Sequence, residues 1–246
     1  MATFATIPPP VQTARAVILG ATGAIGRELV ADLVHDPSVA AVVAVSRSPL
    51  TTDAEKRAKF PVGPDVPLAK LSVVAVDWES YLSGGGPADL FEGCDYLAAC
   101  MGTTRKDAGG AAEFERIDHD YSVFAAGEAR EAGVGTVHLV SSQGASPQSW
   151  LLYPRTKGRI EEAYKALGFD TLNIYRPGLL NRGDKLRAGE AFLVNWLGVS
   201  AIPTRQVSGA MAHHLRTGTL KGQNGTLFFN KGIEQAARVA QARGAA

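Results

Sequence analysis

Short apolar segments alternate with helical patterns along most of this chain, and that alternation limits the fold more than any other feature. The apolar segments cover residues 16–19, 41–45, 71–76, 96–101, 137–140 and 172–175. Between them, apolar side chains recur at helical spacing, as at Ile25, Leu29 and Leu33. Strands that are apolar throughout are typical of a parallel sheet covered on both faces. The sequence therefore predicts the α/β class, with a doubly wound parallel sheet and helices on both faces.

The pattern weakens beyond Pro177, where we expect a helix around residues 207–215, a short strand at 227–229 and a last helix at 233–242. The first 14 residues contain three consecutive prolines and few large apolar side chains, which favours a flexible tail. We expect a single domain over residues 15–246, long enough to fold without disulfides or a structural metal.

Charge and cysteine content exclude several classes of protein. The 246 residues include 25 Lys and Arg against 24 Asp and Glu, a net charge of +1, so we expect no nucleic-acid partner. Two cysteines, Cys94 and Cys100, exclude a disulfide scaffold and fit a reducing compartment. No apolar run approaches the ~18 residues of a membrane span, so we expect a cytoplasmic protein without one.

A glycine-rich turn follows the first predicted strand and opens the first predicted helix. Gly20 permits a tight turn, Gly23 permits close approach of backbone to a pyrophosphate, and Gly26 permits close packing of helix on strand. The helix N-terminus would present unpaired N–H groups to the phosphates. This placement predicts a Rossmann-like dinucleotide-binding domain; the alternative is that the glycines serve only the turn.

The residues at the end of the second strand indicate which of the two nicotinamide dinucleotides the chain would bind. An acidic residue there would bind the ribose 2′-hydroxyl, whereas this chain has Ser46, Arg47 and Ser48. Arg47 can form a forked contact with a phosphate, which predicts NADP(H) rather than NAD(H); the alternative is a solvated surface arginine. Asp77, after the third strand, is a candidate adenine contact or a helix cap.

A serine, a tyrosine and a lysine provide candidate catalytic groups. Tyr153 and Lys157 are four residues apart, so they share one helix face, and a nearby ammonium favours the phenolate. Tyr153 would then act as general acid or base. Ser142, with Ser141 as the spare, would hold the substrate oxygen. The alternative is a packed tyrosine with a solvated lysine. Because Pro154 disfavours a helical residue before it, we expect the helix to begin at about Pro154.

Other polar residues receive structural interpretations. His138 lies within a predicted strand and is expected to be a core residue. His213 and His214 are adjacent and point to different helix faces, so we expect no metal site. Asp118 is a candidate hydrogen-bond partner for the loop after the fourth strand.

Several longer motifs are more specific than the glycine turn or the Tyr–Lys pair. They are Cys100-Met-Gly-Thr-Thr-Arg105, Asp118-His-Asp-Tyr121, Ser141-Ser-Gln-Gly-Ala145, Tyr153-Pro-Arg-Thr-Lys-Gly-Arg-Ile-Glu161 and Tyr175-Arg-Pro-Gly-Leu-Leu180. With these motifs, residues 15–215 resemble the short-chain dehydrogenase/reductase superfamily. The resemblance is greater to its atypical branch, the NmrA-like and human Tat-interactive oxidoreductase family.

The resemblance implies an NADPH-dependent oxidoreductase with Tyr153 and Lys157 as its catalytic pair. It places the phosphate turn at residues 22–25, the adenosine-side loop at Met101 and Gly102, and the nicotinamide-side loop at residues 178–180. The full set of expected cofactor-binding residues is Gly20, Thr22, Gly23, Ala24, Ile25, Gly26, Arg47, Asp77, Met101, Gly102, Thr103, Lys157, Pro177, Gly178, Leu180 and Arg187. The chain departs from the family at Ala24, where an acidic residue is expected, and at Ser48, where an arginine is expected; the second change weakens the expected grip on a 2′-phosphate.

Two other functions are consistent with these residues. NmrA-like relatives include dinucleotide sensors that control a protein partner, although several lack the tyrosine, so retention of Tyr153 and Lys157 favours catalysis. An epimerase or dehydratase acting on a nucleotide sugar would need a larger C-terminal region than the ~70 residues after Gly178. The sequence identifies neither the small-molecule substrate nor a protein partner, and it leaves open whether the protein is a monomer or a dimer.

Overall fold

The computed structural model describes residues 14–181, 201–218 and 223–244. Seven parallel strands form one sheet in the order β3-β2-β1-β4-β5-β6-β9, and β7 pairs with β8 in a small second sheet. The strands are β1 (Ala14–Leu19), β2 (Val39–Ser46), β3 (Leu71–Ala75), β4 (Tyr96–Ala99), β5 (Thr136–Val140), β6 (Thr171–Arg176), β7 (Leu179–Asn181), β8 (Ala201–Pro203) and β9 (Asn224–Phe229). The predicted doubly wound sheet is confirmed.

Helices cover both faces of this sheet. They are α1 (Gly26–His35), α2 (Asp53–Lys59), α3 (Trp78–Leu82), α4 (Arg105–Ala108), α5 (Ala111–Glu115), α6 (Tyr121–Glu131), α7 (Leu152–Ala166), α8 (Thr204–Thr217) and α9 (Asn230–Gly244), and a π-helical turn, Arg116–Asp120, joins α5 to α6. The predicted C-terminal helices and last strand are therefore present, and β9 extends the main sheet beside β6.

Alternate residues of each strand supply two separate cores. In β1, Ala16 and Ile18 pack with α1, α8 and α9 on one face, whereas Val17 and Leu19 pack with α6 and α7 on the other. Val17, Ile18 and Leu19 are completely buried, and full burial of each such side chain contributes ~1.5–3 kcal/mol. This two-sided burial explains why the strands are apolar throughout.

The strand order places a crevice at one edge of the sheet. The chain leaves β1 for β2 on one side and reaches β4 on the other, so the order reverses at β1. Ligands of such sheets bind outside the carboxyl ends of the strands at this switch point. The loops that follow β1, β4, β5 and β6 meet at this edge, and they carry most of the predicted site residues.

Three local features differ from the sequence expectations. Strand β1 begins at Ala14, and the remainder of the expected tail lies outside the described residues. Helix α2 was not predicted; none of its residues is buried, and the capping box of Thr52 with Glu55 was its only signal. The expected start of α7 at Pro154 is wrong, because α7 begins at Leu152. Proline is tolerated there because the first backbone N–H bond of the helix comes from Arg155, one residue later.

Candidate active site

The glycine turn lies between β1 and α1. At two of its three glycines, any larger residue would clash with the backbone. Gly20 has a φ of +68°, and a Cβ there would lie 2.7 Å from the Cys100 carbonyl carbon. A Cβ at Gly26 would lie 2.3 Å from the Gly20 carbonyl oxygen. Gly23 is exposed and donates its N–H to that oxygen at 3.0 Å. The turn therefore brings bare backbone to the N-terminus of α1, which fits the needs of a pyrophosphate.

The other residues of this turn differ in what they can offer a ligand. Thr22 and Ala24 are half-buried at the crevice edge. Ile25 is 5% exposed and belongs to the core, so only its backbone faces the turn. Their binding roles stay predictions.

The loop after β4 borders the buried end of the crevice. Thr103 donates its backbone N–H to Asp118 Oδ1 at 2.7 Å. A Cβ at Gly102 would lie 3.6 Å from Lys157 Nζ, and the Met101 carbonyl accepts a hydrogen bond from the same Nζ at 3.4 Å. The loop is thus held against the base of α7.

A buried ion pair joins the π-helical turn to α7. Asp118 is 1% exposed and Lys157 is 4% exposed, and Lys157 Nζ lies 2.9 Å from Asp118 Oδ2. Burial alone would lower the Lys157 pKa, but the Asp118 carboxylate and Tyr153 outweigh burial, so this pKa lies above its ordinary value. Lys157 is therefore an ammonium at neutral pH.

Tyr153 lies in the first turn of α7 at the mouth of the crevice. Its side chain is 44% exposed, and its ring packs against Phe114 of α5 with centroids 6.0 Å apart. Lys157 Nζ lies 6.0 Å from the centroid of the Tyr153 ring. The structure therefore brings together the tyrosine and the lysine that the spacing predicted, with the ammonium beneath the exposed ring.

The two serines after β5 have different partners. Ser141 is buried and donates its hydroxyl to Glu161 of α7. Ser142 is half-buried, and its hydroxyl donates to the neighbouring Gln143 carbonyl at 2.9 Å. Because Ser141 is tied to a buried carboxylate, Ser142 is the serine better able to meet a substrate.

The loop after β6 forms the opposite wall. The Pro177 carbonyl accepts a hydrogen bond from the Gln143 N–H at 2.9 Å, and the Gly178 N–H donates to Asn230 Oδ1 at 2.8 Å. Leu180, in β7, is half-buried against the core. Arg187 lies outside the described residues.

The opposite end of the crevice, at β2 and β3, is open to solvent. Ser46 is buried and donates its hydroxyl to the Ser48 carbonyl at 2.8 Å, while Arg47 between them is exposed. Asp77 is also exposed, and its Oδ1 accepts N–H bonds from Glu79 at 3.1 Å and Ser80 at 3.3 Å. Asp77 is thus a helix cap, which is one of the two roles expected for it. The adenine contact stays a prediction.

Sequence reasoning missed three polar residues of this region or gave them too small a role. The hydrogen bond of Asp118 to the loop after β4 was anticipated, but its ion pair with Lys157 was not. Glu161 and Arg176, which form a second ion pair, appeared only within the family motifs and were given no role. The sequence signals for Glu161 are its place at the end of the motif Tyr153–Glu161 and its position four residues after Lys157, on the same helix face.

Comparison with known proteins gives relatives at moderate identity. No family model matches the chain. It is 36% identical over 183 residues to the protein fmp52, mitochondrial, of Aspergillus clavatus, covering 72% of each chain. It is 34% identical over 207 residues to the protein HTATIP2 of Rattus norvegicus, covering 80% of this chain and 79% of that one.

Solved structures at lower identity share the fold. The UDP-N-acetylglucosamine 4-epimerase of Methanobrevibacter ruminantium aligns with a TM-score of 0.64 at 13% identity, over 89% of this chain and 76% of that one. DesIV, a dTDP-glucose 4,6-dehydratase of Streptomyces venezuelae solved with NAD bound, aligns with a TM-score of 0.63 at 18% identity, over 94% of this chain and 81% of that one.

The sheet order and the glycine turn at its switch point define a Rossmann-like α/β protein. Within that class, the relatives show that the chain belongs to the NmrA-like family of atypical short-chain dehydrogenases/reductases, as the motifs suggested. In the described part of the chain, no helix is both long and apolar enough to cross a membrane.

Proposed function

We propose that this protein is an NADPH-dependent oxidoreductase acting on a carbonyl or alcohol carbon through Ser142, Tyr153 and Lys157. The bound coenzyme would supply or accept the hydride. One observation carries the proposal: the buried Lys157 ammonium, held by Asp118 at the carboxyl edge of the sheet, lies beside an exposed tyrosine ring. A buried cation next to a partly exposed tyrosine suits proton transfer, in addition to the ion pair that it forms with Asp118.

The residues of the crevice fit a nicotinamide dinucleotide. The exposed backbone at Gly23 and the N-terminus of α1 would hold the pyrophosphate. The loop at Pro177–Gly178 would border the nicotinamide half, while Met101 and Gly102 keep the adenosine-side role that the resemblance implies. The NAD bound to DesIV, a protein of the same fold, supports this choice of coenzyme.

Each of the three catalytic candidates has a distinct role in this proposal. Tyr153 would donate a proton to the carbonyl oxygen during reduction and accept it during oxidation. Lys157 would stabilise the phenolate electrostatically and bind the ribose hydroxyls. Ser142 would donate a hydrogen bond to the substrate oxygen and fix its position.

The preference for NADPH over NADH rests on Arg47. Its side chain is exposed at the carboxyl end of β2, where the adenosine ribose would lie. An arginine there can form two charge-assisted hydrogen bonds to a 2′-phosphate. The second family arginine is replaced by Ser48, so Arg47 would be the cation that holds the phosphate, with a serine hydroxyl as an added donor.

The test of catalysis is Tyr153→Phe, which removes one hydroxyl at an exposed position. We expect NADPH affinity within about threefold of wild type, whereas reduction of any accepted aldehyde, ketone or quinone falls ~10²–10⁴-fold. Tyr96→Phe is the matched control, since Tyr96 lies at the amino end of β4, away from the carboxyl edge that carries the proposed site. Equal turnover by wild type and Tyr153→Phe would remove the proposed chemistry.

A regulatory function is the second candidate, because two exposed apolar side chains closely precede Tyr153 in the chain. Trp150 is 97% exposed and Leu151 is 70% exposed. Exposed aromatic surface next to a ligand crevice is typical of contact sites. A protein that binds NADPH, stays inert towards a broad carbonyl panel, and binds a protein partner differently with NADPH and NADP⁺ would favour a sensor.

The cellular compartment also belongs to this proposal. The cysteine content predicted a reducing compartment and the lack of a long apolar run favoured the cytoplasm, whereas the name of the Aspergillus relative assigns that protein to mitochondria. We propose a reducing compartment. Imaging of the protein with a C-terminal fluorescent tag distinguishes the cytoplasm from mitochondria.

A further inference from the structure

A second buried carboxylate, Glu161, joins three elements behind the crevice. Glu161 lies on α7 and is 2% exposed. Its Oε1 accepts a hydrogen bond from Arg176 Nε at 2.8 Å, and its Oε2 accepts one from Arg176 Nη2 at 2.6 Å. Ser141, at the end of β5, donates its hydroxyl to the same Oε1. We call Ser141, Glu161 and Arg176 the carboxylate hub.

Each member of the hub is close in the chain to a residue of the proposed active site. Ser141 directly precedes Ser142, Arg176 directly precedes Pro177, and Glu161 follows Lys157 by about one helical turn. The hub therefore fixes α7, the end of β5 and the end of β6 relative to one another. These elements carry the proposed proton-transfer groups, the substrate-binding serine and the nicotinamide-side loop.

Neighbouring contacts extend this restraint to the loops themselves. The Gln143 N–H donates to the Pro177 carbonyl at 2.9 Å, so the loop after β5 is bonded to the loop after β6. The Arg176 guanidinium lies 5.9 Å from the centroid of the Phe229 ring in β9. The nicotinamide-side wall thus rests on a charged pair whose carboxylate is 2% exposed and whose guanidinium is 18% exposed.

Stability alone does not explain why an ion pair, rather than two apolar side chains, occupies this position. Replacing a buried ion pair with apolar side chains of similar volume is often neutral or stabilising, whereas removing one partner is strongly destabilising. A bidentate arginine–carboxylate pair differs from an apolar pair mainly in its fixed geometry. We propose that Glu161, through Arg176 and Ser141, is a positioning residue that sets the nicotinamide-side loop and Ser142 relative to Tyr153 and Lys157. This inference rests on the proposed function.

The experiment compares a single and a double replacement. Glu161→Leu alone leaves the Arg176 charge unpaired, and we expect its Tm to fall by ~10 °C. The double variant Glu161→Leu/Arg176→Met should unfold within ~4 °C of wild type. Despite that stability, we expect its NADPH Kd to rise at least ~10-fold, its kcat towards an accepted carbonyl to fall at least ~10-fold, and the Gln143 amide to exchange with solvent at least ~10-fold faster.

The pair of Arg216 with Asp36 provides the matched control, because it too joins a buried carboxylate to a partly exposed arginine. Arg216 Nε lies 2.6 Å from Asp36 Oδ2, and Asp36 is also 2% exposed at the side chain. Asp36 precedes β2, at the edge of the sheet opposite the crevice. The variant Asp36→Asn/Arg216→Met should keep NADPH Kd and kcat within about twofold of wild type.

The outcomes separate this inference from the proposed function. A stable double variant with wild-type Kd, kcat and Gln143 exchange would show that the hub is merely structural. Wild-type protein that binds neither NADPH nor NADH would overturn the proposed function, and the Gln143 exchange rate would still decide whether the hub holds the two loops. Ser141→Thr, which keeps the hydroxyl, should retain more of the NADPH affinity than Ser141→Ala; equal loss in both would overturn the part assigned to Ser141.

Discussion

The charged residues at the two ends of the crevice differ in burial and in pairing. At the buried end, Asp118, Lys157 and Glu161 are between 1% and 4% exposed and are paired within the protein. At the open end, Arg47 and Asp77 are exposed. The folded chain itself fixes the charges of the buried end, and it also fixes Asp77 as the cap of α3, whereas a bound ligand would have to fix Arg47.

This difference predicts which property each end controls. Removing a buried charge leaves its partner unpaired in a poorly solvated site, so stability and function change together. Removing the exposed charge of Arg47 should cost little stability, so only ligand affinity should change. The predictions below test this division from the largest expected effect to the smallest.

The largest effect is expected at Asp118. Asp118→Leu leaves the Lys157 ammonium buried without its carboxylate, so the free energy of unfolding should fall by ~3–5 kcal/mol. Asp118→Asn keeps an acceptor for the Thr103 N–H and should lose less. Urea unfolding of the three proteins measures the difference, and a loss below ~1 kcal/mol in Asp118→Leu would show that the pair contributes little.

Acid should destabilise the strands beneath the buried end. His138 Nδ1 and His214 Nδ1 lie 3.0 and 2.8 Å from the Tyr175 hydroxyl. Burial lowers the pKa of His138 to about 3 and, with the charge of His213, that of His214 to about 4. The folded state keeps both neutral, whereas the unfolded state binds protons below pH ~6.5, so stability is lost as the pH falls through that value.

The expected loss between pH 7 and pH 5 is ~2–4 kcal/mol for the two histidines together. His214→Gln should remove about half of this pH dependence while leaving the remainder. Thermal unfolding over this pH range measures it. If the slope of stability against pH is the same in His214→Gln and wild type, the acid sensitivity arises elsewhere.

The glycine turn lies between the two ends, and Gly26→Ala should disturb both. Its Cβ would lie 2.3 Å from the Gly20 carbonyl oxygen, so the turn must shift. We expect a loss of ~1–3 kcal/mol in unfolding free energy, together with weaker NADPH binding. Gly127→Ala in α6 is the control, because nothing lies within 4 Å of its Cβ and alanine should stabilise the helix by up to ~1 kcal/mol.

At the crevice, the sequence predicted contacts between residues close in the chain better than contacts between residues far apart in it. Tyr153 and Lys157 were predictable because residues four apart share a helix face. Asp118 reaches Lys157 across 39 positions and from a π-helical turn, where the ordinary helical period does not place side chains correctly. The pairing of Glu161 with Arg176 likewise depends on how α7 packs on β6, which no local pattern encodes.

The same distinction applies to the fold. The strands were predicted because burial on both faces leaves a continuous apolar signal. Helix α2 has no buried residue and therefore no apolar period, so only the Thr52–Glu55 capping box could have indicated it. The helix predicted around residues 207–215 is α8; most of its residues are buried, several of them in the core that it shares with α1 and α9.

The smallest effect is expected at the open end, from Arg47→Ala. Loss of a forked contact with a 2′-phosphate should weaken NADPH binding ~10-fold, about 1.4 kcal/mol, and leave NADH binding and Tm unchanged. Arg238→Ala, an exposed arginine on α9, controls for the loss of one positive charge. Side-by-side titrations of both coenzymes, at two salt concentrations, separate a specific phosphate contact from long-range attraction, because only the latter is strongly screened. Equal loss of NADPH affinity in Arg47→Ala and Arg238→Ala, or a matching loss for NADH, would contradict the assignment of Arg47 to the 2′-phosphate and leave the open end without a group that distinguishes the two coenzymes.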